Sequence, residues 1–323
     1  RTMRERIFDH VHANWRAAYD AGMFTEFQEQ RSPGHTVLGR RLFGEGFEDI
    51  LKRIAQVRDG LDFADDPQAL DKLEELQAMA ICAEAVIRWA LRYAEALTAE
   101  AEVCGDAARR AELDQMAAIC RGVPARAPQT FWEALQHYWF IHVGVITELN
   151  PWDAFNPGRL DQHLYTFYRR DIDSGRITAD QARELLQAFW IKFNNHPAPP
   201  KTGVTAKESN TYVDFALINT GGVSTDNEDA VNELSYLILD VVEEMRLLQP
   251  SASIQVSRQN PDDFIQRAGR IIRTGFGQPS IFNSDLIVQE LVRQGKSLSD
   301  ARNGGSSGCV EVGAFGKENY NLT

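Results

Sequence analysis

Hydrophobic residues recur at helical spacing through the first two thirds of the chain. Over residues 3–21, for example, apolar side chains occupy positions 7, 8, 11, 15 and 18, which lie on one face of a helix. The segment 130–147 is rich in aromatic as well as aliphatic residues, which predicts a buried helix. The helices predicted in this way cover residues 3–21, 67–102 (as one helix or two), about 107–121, about 130–147, about 159–173 and the residues that follow the capping segment Thr178-Ala179-Asp180.

The pattern changes after Pro197, where short β-rich runs alternate with helical segments. The elements predicted there are strands at Tyr212–Asn219, Ser253–Ser257 and Ser280–Phe282, with helices between them at 229–247 and 261–274. Such alternation is typical of βα units in a parallel sheet or barrel. The predicted fold class is therefore α/β: a helical N-terminal layer over residues 1–200 followed, in a single domain, by part of an α/β barrel over residues 201–323.

Composition and charge narrow the class of protein. The 323 residues carry a formal net charge of −12, spread along the helices, whereas a nucleic-acid binder needs basic patches. No apolar run reaches the length of a transmembrane helix, and no signal peptide leads the chain. We therefore expect neither a nucleic-acid nor a membrane partner. Because the chain starts at Arg1 and ends at Thr323, shortly after its most unusual motif, we expect it to be a piece of a longer protein.

The cysteines of the chain are Cys82, Cys104, Cys120 and Cys309. None forms a CxxC pair, so no metal site is predicted. Cys82 lies in an apolar helical run and Cys120 near the end of another helix, and we expect both to be buried structural thiols. His137 and His142, in the aromatic helix, are expected to be structural as well. The set of cysteines fits the reducing cytoplasm better than a disulfide scaffold.

Cys309 differs from the other cysteines because it stands in a glycine-rich segment, GGSSGCVEVGAFGKE at residues 304–318. Glycines allow tight turns and the close approach of a ligand, so a thiol in such a loop is displayed rather than packed. Glu311, two residues later, can hold or release a proton. A nearby carboxylate raises the pKa of a thiol, which favours one-electron chemistry at Cys309 over a nucleophilic thiolate.

Three further segments combine polar side chains that could form a site. Asp153 lies among Asn and Pro residues at a helix-to-helix junction, where it or Asn156 could equally be a helix cap. His35 follows a Pro-Gly turn, and a histidine is suited to proton sharing near neutral pH. Ser209 and Asp214 flank the start of a predicted strand, where they could bind a carboxylate and an ammonium group or serve only as a turn.

These segments match a known family. The sequence Gly308-Cys309-Val310-Glu311 resembles the thiyl loop of glycyl radical enzymes, in their dehydratase and lyase branch rather than the pyruvate formate-lyase branch. The continuation over residues 312–318 resembles the subgroup of that branch that removes water from hydroxyproline. The segment 24–36, which contains FTEF and QRSPGHT, is also typical of the family. The similarity covers essentially the whole chain, with Val312 at a position where threonine is equally expected.

The resemblance implies a role for each candidate residue. Cys309 matches the cysteine that carries the thiyl radical, and Glu311 matches the carboxylate paired with it. Asp153 and His35 match positions associated with the substrate hydroxyl. The residues that match positions around the amino-acid end of the substrate are Ser209, Asp214 and Phe215, and the one that matches an aromatic pocket wall is Phe27.

The resemblance also implies that the protein binds no cofactor, because the chemistry depends on a glycyl radical. In the family that glycine lies near the far C-terminus, in a segment similar to Arg-Val-x-Gly-[Tyr/Phe], which residues 1–323 do not contain. The glycine radical domain is thus expected to lie outside this chain. A radical-SAM activating enzyme with an iron–sulfur cluster installs the radical. The full-length protein is expected to be a homodimer that acts on a small amino-acid substrate.

Three alternatives remain open at this point. The nearest is another glycyl radical lyase, such as a diol dehydratase or a C–N or C–S lyase, although Ser209, Asp214 and Phe215 favour an amino-acid substrate. A cysteine hydrolase that uses Cys309 with a distant histidine is of a different class and would work in air without an activating enzyme. An inactive helical scaffold would leave the glycine-rich loop unexplained.

Overall fold

The computed structural model describes residues 3–23, 36–148, 155–195, 216–308 and 310–317. The helices are α1 (Met3–His10), α2 (Ala13–Asp20), α3 (Phe47–Asp59), α4 (Ala69–Val103), α5 (Ala107–Gly122), α6 (Phe131–Glu148), α7 (Leu160–Asp173), α8 (Ala179–Asn194), α9 (Glu233–Met245), α10 (Asp262–Ile272), α11 (Ser284–Arg293) and α12 (Leu298–Arg302). The strands are β1 (Thr36–Val37), β2 (Phe155–Asn156), β3 (Gly158–Arg159), β4 (Leu217–Gly221), β5 (Ser251–Val256), β6 (Ser280–Asn283), β7 (Gly305–Ser307) and β8 (Glu311–Gly313). The chain divides into two compact units, one formed by residues 1–40 and 142–323 and the other by residues 41–141.

The first unit is built on a four-stranded parallel sheet with the strand order β3-β4-β5-β6. Parallel strands need crossover connections, and α9 and α10 lie in the sequence between β4 and β5 and between β5 and β6. The predicted alternation of strands and helices, and the parallel sheet it implies, are therefore confirmed. Strands β1 and β2 form a separate parallel pair, and β7 and β8 form an antiparallel hairpin.

The two faces of the parallel sheet differ in polarity, because successive residues of a strand point to opposite faces. On one face Ile254 packs with Phe264 and other apolar residues of the helices. On the opposite face Asn219 pairs in register with Ser253, and Gln255 follows two residues later. These three polar side chains are at most 1% exposed. A buried polar row requires hydrogen-bond partners, and strand β7 supplies them.

The second unit consists of α3, α4, α5 and the first part of α6. Helix α4 is 35 residues long and turns small residues inward, so that Ala90 and Ala94 are buried together with Cys120 and Phe140. The rings of Trp89 and Phe140 meet edge to face with their centroids 5.4 Å apart. The predicted burial of Cys120 is confirmed by this packing.

Three expectations about local structure had different outcomes. The prediction for Cys82 is wrong: its side chain is exposed, because the alanines of α4 face inward and leave apolar side chains on both faces of the helix. The single helix predicted over residues 3–21 is two helices, since the chain leaves the helical conformation at residues 11 and 12 before α2 begins. His137 and His142 are both buried, as expected for structural residues, and burial lowers the pKa of His137 to about 4.

Where β3 leads into α7, the buried guanidinium of Arg159 binds three backbone carbonyl groups from two segments of the chain. It donates to the carbonyl oxygens of Gly221 at 2.5 Å, Val223 at 2.6 Å and Arg302 at 2.8 Å. Gly221 ends strand β4, and Arg302 ends the short helix before the glycine-rich segment. One cation therefore joins the end of the sheet to the start of the predicted cysteine loop.

Two further ionisable groups are buried in the first turn of α7. Asp161 accepts hydrogen bonds from the Gly221 amide at 2.8 Å and from the Ser235 hydroxyl at 2.5 Å, while burial raises the pKa of this carboxyl group. The Nδ1 atom of His163 lies 3.1 Å from the Pro157 carbonyl oxygen. Burial, reinforced by the neighbouring guanidinium, lowers the pKa of His163 to about 4. His163 is therefore neutral near neutral pH.

Thr178 caps α8 as predicted, through reciprocal hydrogen bonds with Gln181.

Among the described residues, no helix has both the length and the apolar character needed to cross a membrane.

The neutral state of His163 predicts that acid destabilises the fold. The unfolded chain binds a proton at the ordinary pKa of 6.5, whereas the folded chain does not bind it until the pH reaches about 4. Stability is therefore complete above pH 6.5, and His163 lowers the free energy of unfolding by up to about 1.4 kcal/mol per pH unit as the pH falls through this window. Urea unfolding across the window should show a shallower pH dependence for His163→Gln. If the free energy of unfolding had the same pH dependence in the parent and in His163→Gln, the assignment of His163 as a neutral buried histidine would be contradicted.

Candidate functional site

The glycine-rich segment forms the hairpin of strands β7 and β8. Ser307 and Glu311 face each other in the antiparallel register, so the residues that join the strands are Gly308, Cys309 and Val310. Gly308 has a φ of +54°, in the left-handed region that favours glycine, and Val310 is 70% exposed. The connection is therefore a tight turn, and Cys309 is its central residue in the sequence.

Glu311 is the candidate residue whose position the structure describes. Its Oε2 atom accepts a hydrogen bond from the Val310 amide at 3.0 Å, and the side chain is partly buried. The carboxylate is thus turned back along the hairpin toward the turn rather than away from it. A group in this place can exchange protons with a molecule bound beside the turn.

The other candidates lie outside the described residues, and their roles stay predictions: Cys309, Asp153, His35, Ser209, Asp214, Phe215 and Phe27. In the part of the chain that is described, no three His, Cys, Asp or Glu side chains are grouped so that they could hold a metal ion.

Strand β7 is held against the polar face of the sheet by side-chain amides. The Nδ2 atom of Asn219 donates to the Ser306 carbonyl oxygen at 2.8 Å, and its Oδ1 atom accepts from the Ser306 amide at 3.2 Å. Gln255 Nε2 donates both to Asn219 Oδ1 at 3.2 Å and to the Gly304 carbonyl oxygen at 3.1 Å. The hydroxyl groups of Ser253 and Ser306 lie 3.4 Å apart. The amides pair with β7 in the way that a neighbouring strand would.

The close approach of β7 to these amides explains the glycine at position 305. A Cβ atom there would lie 2.1 Å from Gln255 Nε2, 2.9 Å from Asn219 Oδ1 and 2.5 Å from the Phe315 ring. All three contacts are too short, and two of the neighbours are fixed by their own hydrogen bonds. The glycine is therefore required by packing against the sheet rather than by the turn alone.

Asn156 adds a second amide link and does not cap a helix, which is one of the roles that the sequence leaves open for it. It lies in β2 with 0% exposure, and the cap position of α7 is occupied by Arg159, whose side chain makes no capping hydrogen bond to that helix. The Nδ2 atom of Asn156 donates to Ser307 Oγ at 2.7 Å, and its Oδ1 atom accepts from the Leu217 amide at 2.5 Å. The side chain of Asn156 therefore pairs with residues that are distant in the sequence and not with its local turn.

The sequence contains a signal for these supporting residues, although no chemical motif marks them. Strands β4 and β5 read LINTG and SASIQV, in which Asn219, Ser253 and Gln255 alternate with apolar residues. Polar residues at every second position of a buried strand indicate a polar face. The alternating pattern alone does not tell whether that polar face contacts solvent or another strand of the protein.

With the fold and the hairpin in place, the class of protein can be stated. The model of the pyruvate formate lyase-like family matches residues 1–323, and the chain belongs to that family. The chain also resembles solved glycyl radical enzymes, including one from Archaeoglobus fulgidus with 30% identity and a TM-score of 0.78, which covers 90% of this chain and 38% of that one. The resemblance to glycyl radical enzymes and the α/β fold class are confirmed.

One relative matches along the whole chain. Trans-4-hydroxy-L-proline dehydratase from Clostridioides difficile is 53% identical over 323 residues, which is 100% of this chain and 41% of that protein. The crystal structure of the hydroxyproline dehydratase of that organism with trans-4-hydroxy-L-proline bound has a TM-score of 0.89 and covers 99% of this chain.

The comparisons also include relatives of lower identity. The B12-independent glycerol dehydratase from Clostridium butyricum, solved with glycerol bound, has 30% identity and a TM-score of 0.81, over 93% of this chain and 39% of that one. The chain therefore spans about two fifths of the length of these relatives.

Substitution of Gly305 by alanine tests the packing of β7. We expect Gly305→Ala to lower the free energy of unfolding by about 1–3 kcal/mol, because the added methyl group meets fixed atoms. Gly269→Ala, in α10, is the matched control, since a Cβ atom there meets nothing within 4 Å. Urea unfolding of both variants measures the difference. Equal stabilities would mean that the hairpin does not lie against the amides.

Proposed function

We propose that this chain is the cysteine-loop part of a glycyl radical dehydratase that removes water from trans-4-hydroxy-L-proline to give pyrroline-5-carboxylate. The observation that carries the proposal is the 53% identity to a trans-4-hydroxy-L-proline dehydratase along the whole chain. Because the chain spans 41% of that relative, the activity is proposed for the complete enzyme that contains it. That enzyme is cytoplasmic and a homodimer, and residues 1–323 belong to its pyruvate formate lyase-like domain.

The reaction begins at Cys309. Its thiol gives up a hydrogen atom to a glycyl radical that the complete enzyme carries outside residues 1–323, where a radical-SAM activating enzyme installs it. The resulting thiyl radical takes a hydrogen atom from the substrate ring carbon next to nitrogen, where the nitrogen lone pair stabilises the carbon radical. The S–H bond is thereby formed again as the C–H bond breaks.

Water then leaves from the neighbouring carbon. The hydroxyl group departs with a proton from an acid, and the ring nitrogen loses a proton to a base; Asp153 and Glu311, with His35, are the groups assigned to these transfers. Cys309 finally returns its hydrogen atom to the carbon that lost the hydroxyl group, and the thiyl radical that remains takes a hydrogen atom back from the glycine, which regenerates the glycyl radical. The hydrogen removed from one carbon is thus restored at the next, and the net change is the loss of one water molecule.

The arrangement of the described residues supports this proposal. The hairpin is held by buried amides on the polar face of the sheet, and the Glu311 carboxylate is turned toward the turn that contains Cys309. A radical on a mobile loop would react with solvent or oxygen, so a fixed loop favours the productive transfer. Ser209, Asp214 and Phe215 are proposed to hold the amino-acid end of the substrate.

The nearest alternative is a diol dehydratase, since the chain also has 30% identity to a glycerol dehydratase. After anaerobic activation, the complete enzyme should form pyrroline-5-carboxylate from trans-4-hydroxy-L-proline and leave glycerol and 1,2-propanediol unchanged. Turnover of the diols alone would show that the substrate is a diol and not hydroxyproline, and it would leave the radical mechanism in place. Activity in air without the activating enzyme would favour a cysteine hydrolase instead.

Removal of the Cys309 sulfur should abolish turnover. The O–H bond of serine is too strong for hydrogen to pass from it to a glycyl radical, so Cys309→Ser should activate normally and form no product. Electron paramagnetic resonance measures the glycyl radical, and product is measured in the same anaerobic sample. Cys82→Ser, at an exposed position on α4, is the control that should keep parental turnover. Normal turnover by Cys309→Ser would remove this residue from its role.

Asp153→Asn tests the proton transfer. The amide keeps the size and hydrogen-bonding capacity of the carboxyl group but cannot donate an acidic proton, so kcat should fall by about 100- to 10,000-fold. Substrate binding to the unactivated enzyme, followed by calorimetry, should be partly retained. A parental kcat would show that another group protonates the leaving hydroxyl.

A further inference from the structure

Asn156 is the point at which several distant segments of the first unit meet. Its own strand, β2, pairs in parallel with β1, and the Leu38 amide donates to the Asn156 carbonyl oxygen at 2.9 Å. Its side chain donates to Ser307 Oγ at 2.7 Å and accepts from the Leu217 amide at 2.5 Å. One fully buried residue therefore joins β1, β2, β4 and β7.

Each contact of Asn156 is close in the sequence to a candidate site residue. Leu38 follows His35 by three residues, and Asn156 itself follows Asp153 by three. Of the two residues that bond the Asn156 side chain, Leu217 follows Phe215 by two residues and Ser307 precedes Cys309 by two. The hydrogen bonds of this asparagine thus link four segments, each of which has a candidate residue within three positions of the contact.

We propose that Asn156 is a positioning residue that holds these four segments in one register, so that the thiol, the acid and the substrate-binding groups are presented to the same molecule. The inference rests on the proposed function for the identity of the groups that are positioned. Hydrogen transfer between sulfur and carbon needs the two atoms in contact, and a displacement of about 1 Å can cost about 100-fold in rate.

The amide group suits this role because it carries a donor and an acceptor on opposite sides of one planar group. The acceptor meets a backbone amide of the sheet, and the donor meets a hydroxyl group of the hairpin. Alanine removes both links. The backbone contact to Leu38 remains in that variant, so the side-chain links to β4 and β7 are lost while the contact next to β1 is kept.

Asn260 provides a matched control. It is also buried, at 8% exposure, and its amide donates to the Gly222 carbonyl oxygen and to Asp229 Oδ1, both at 2.7 Å, and accepts from the Ser257 amide at 2.8 Å. None of these partners lies within three residues of a candidate site residue. Asn260→Ala therefore removes a comparable set of hydrogen bonds without touching the registration of the hairpin.

The experiment compares Asn156→Ala and Asn260→Ala with the parent in the complete, anaerobically activated enzyme. Turnover of trans-4-hydroxy-L-proline is expressed per glycyl radical, which removes differences in folding and activation. We expect Asn156→Ala to lose at least about tenfold in kcat per radical and Asn260→Ala less than about twofold. The kinetic isotope effect with substrate deuterated at the ring carbon next to nitrogen should rise in Asn156→Ala, because hydrogen abstraction becomes slower relative to later steps.

A kcat per radical within twofold of the parent, an equal loss in both variants, or an isotope effect that does not rise would each overturn the positioning role. A reduced active fraction alone leaves the isotope effect unchanged, so this readout separates positioning from stability.

A second measurement does not depend on the substrate. The alkylation rate of Cys309 by iodoacetamide in the unactivated enzyme, followed on its own peptide by mass spectrometry, should increase at least threefold in Asn156→Ala and stay parental in Asn260→Ala. If the parent fails to turn over hydroxyproline, the proposed function fails while this rate still tests the positioning role. An unchanged rate in both variants would overturn that role whatever the substrate is.

Discussion

Strand β7 pairs with β8 along one edge, and the backbone groups along its other edge meet side-chain amides of the parallel sheet. Asn219 bonds both the amide and the carbonyl of Ser306, and Gln255 bonds the Gly304 carbonyl. Buried backbone groups must be paired, and here the pairing is made by side chains whose positions follow from the register of β4 and β5. The location of the turn between β7 and β8 is therefore a consequence of the sheet's polar face.

This constraint explains why the sheet has two unlike faces. The apolar face packs on α9 and α10 and supplies the hydrophobic burial that stabilises a parallel sheet. The polar face adds little hydrophobic stabilisation, but its hydrogen bonds are satisfied only in one arrangement of the hairpin. Under the proposed radical mechanism this specificity would matter more than extra burial, because a thiyl radical would have to meet one carbon atom of the substrate and little else.

Much of the local structure follows from the sequence pattern. The helical periodicity predicts α4, α5, α6, α7 and α8, and strand–helix alternation predicts the parallel sheet. The pattern fails where residues of similar polarity occupy different environments. Cys82 stands beside the inward-facing Ala83 in a helix that is apolar on several sides, so hydropathy does not indicate which face is buried. Asparagine is a common residue type at helix caps, but Asn156 lies in a strand and pairs with distant segments.

The sequence by itself determined the α/β class, the glycine-bounded cysteine turn with Glu311 two residues beyond it, and the family to which those residues belong, because these depend on local periodicity and on a short motif. Tertiary structure decided which polar residues support the turn. Ser306 meets Asn219 across 87 positions of the chain and Ser307 meets Asn156 across 151. Such contacts are set by the register of parallel strands and by the packing of the hairpin on one face of the sheet. No local pattern encodes that register, since each strand taken alone is compatible with several pairings.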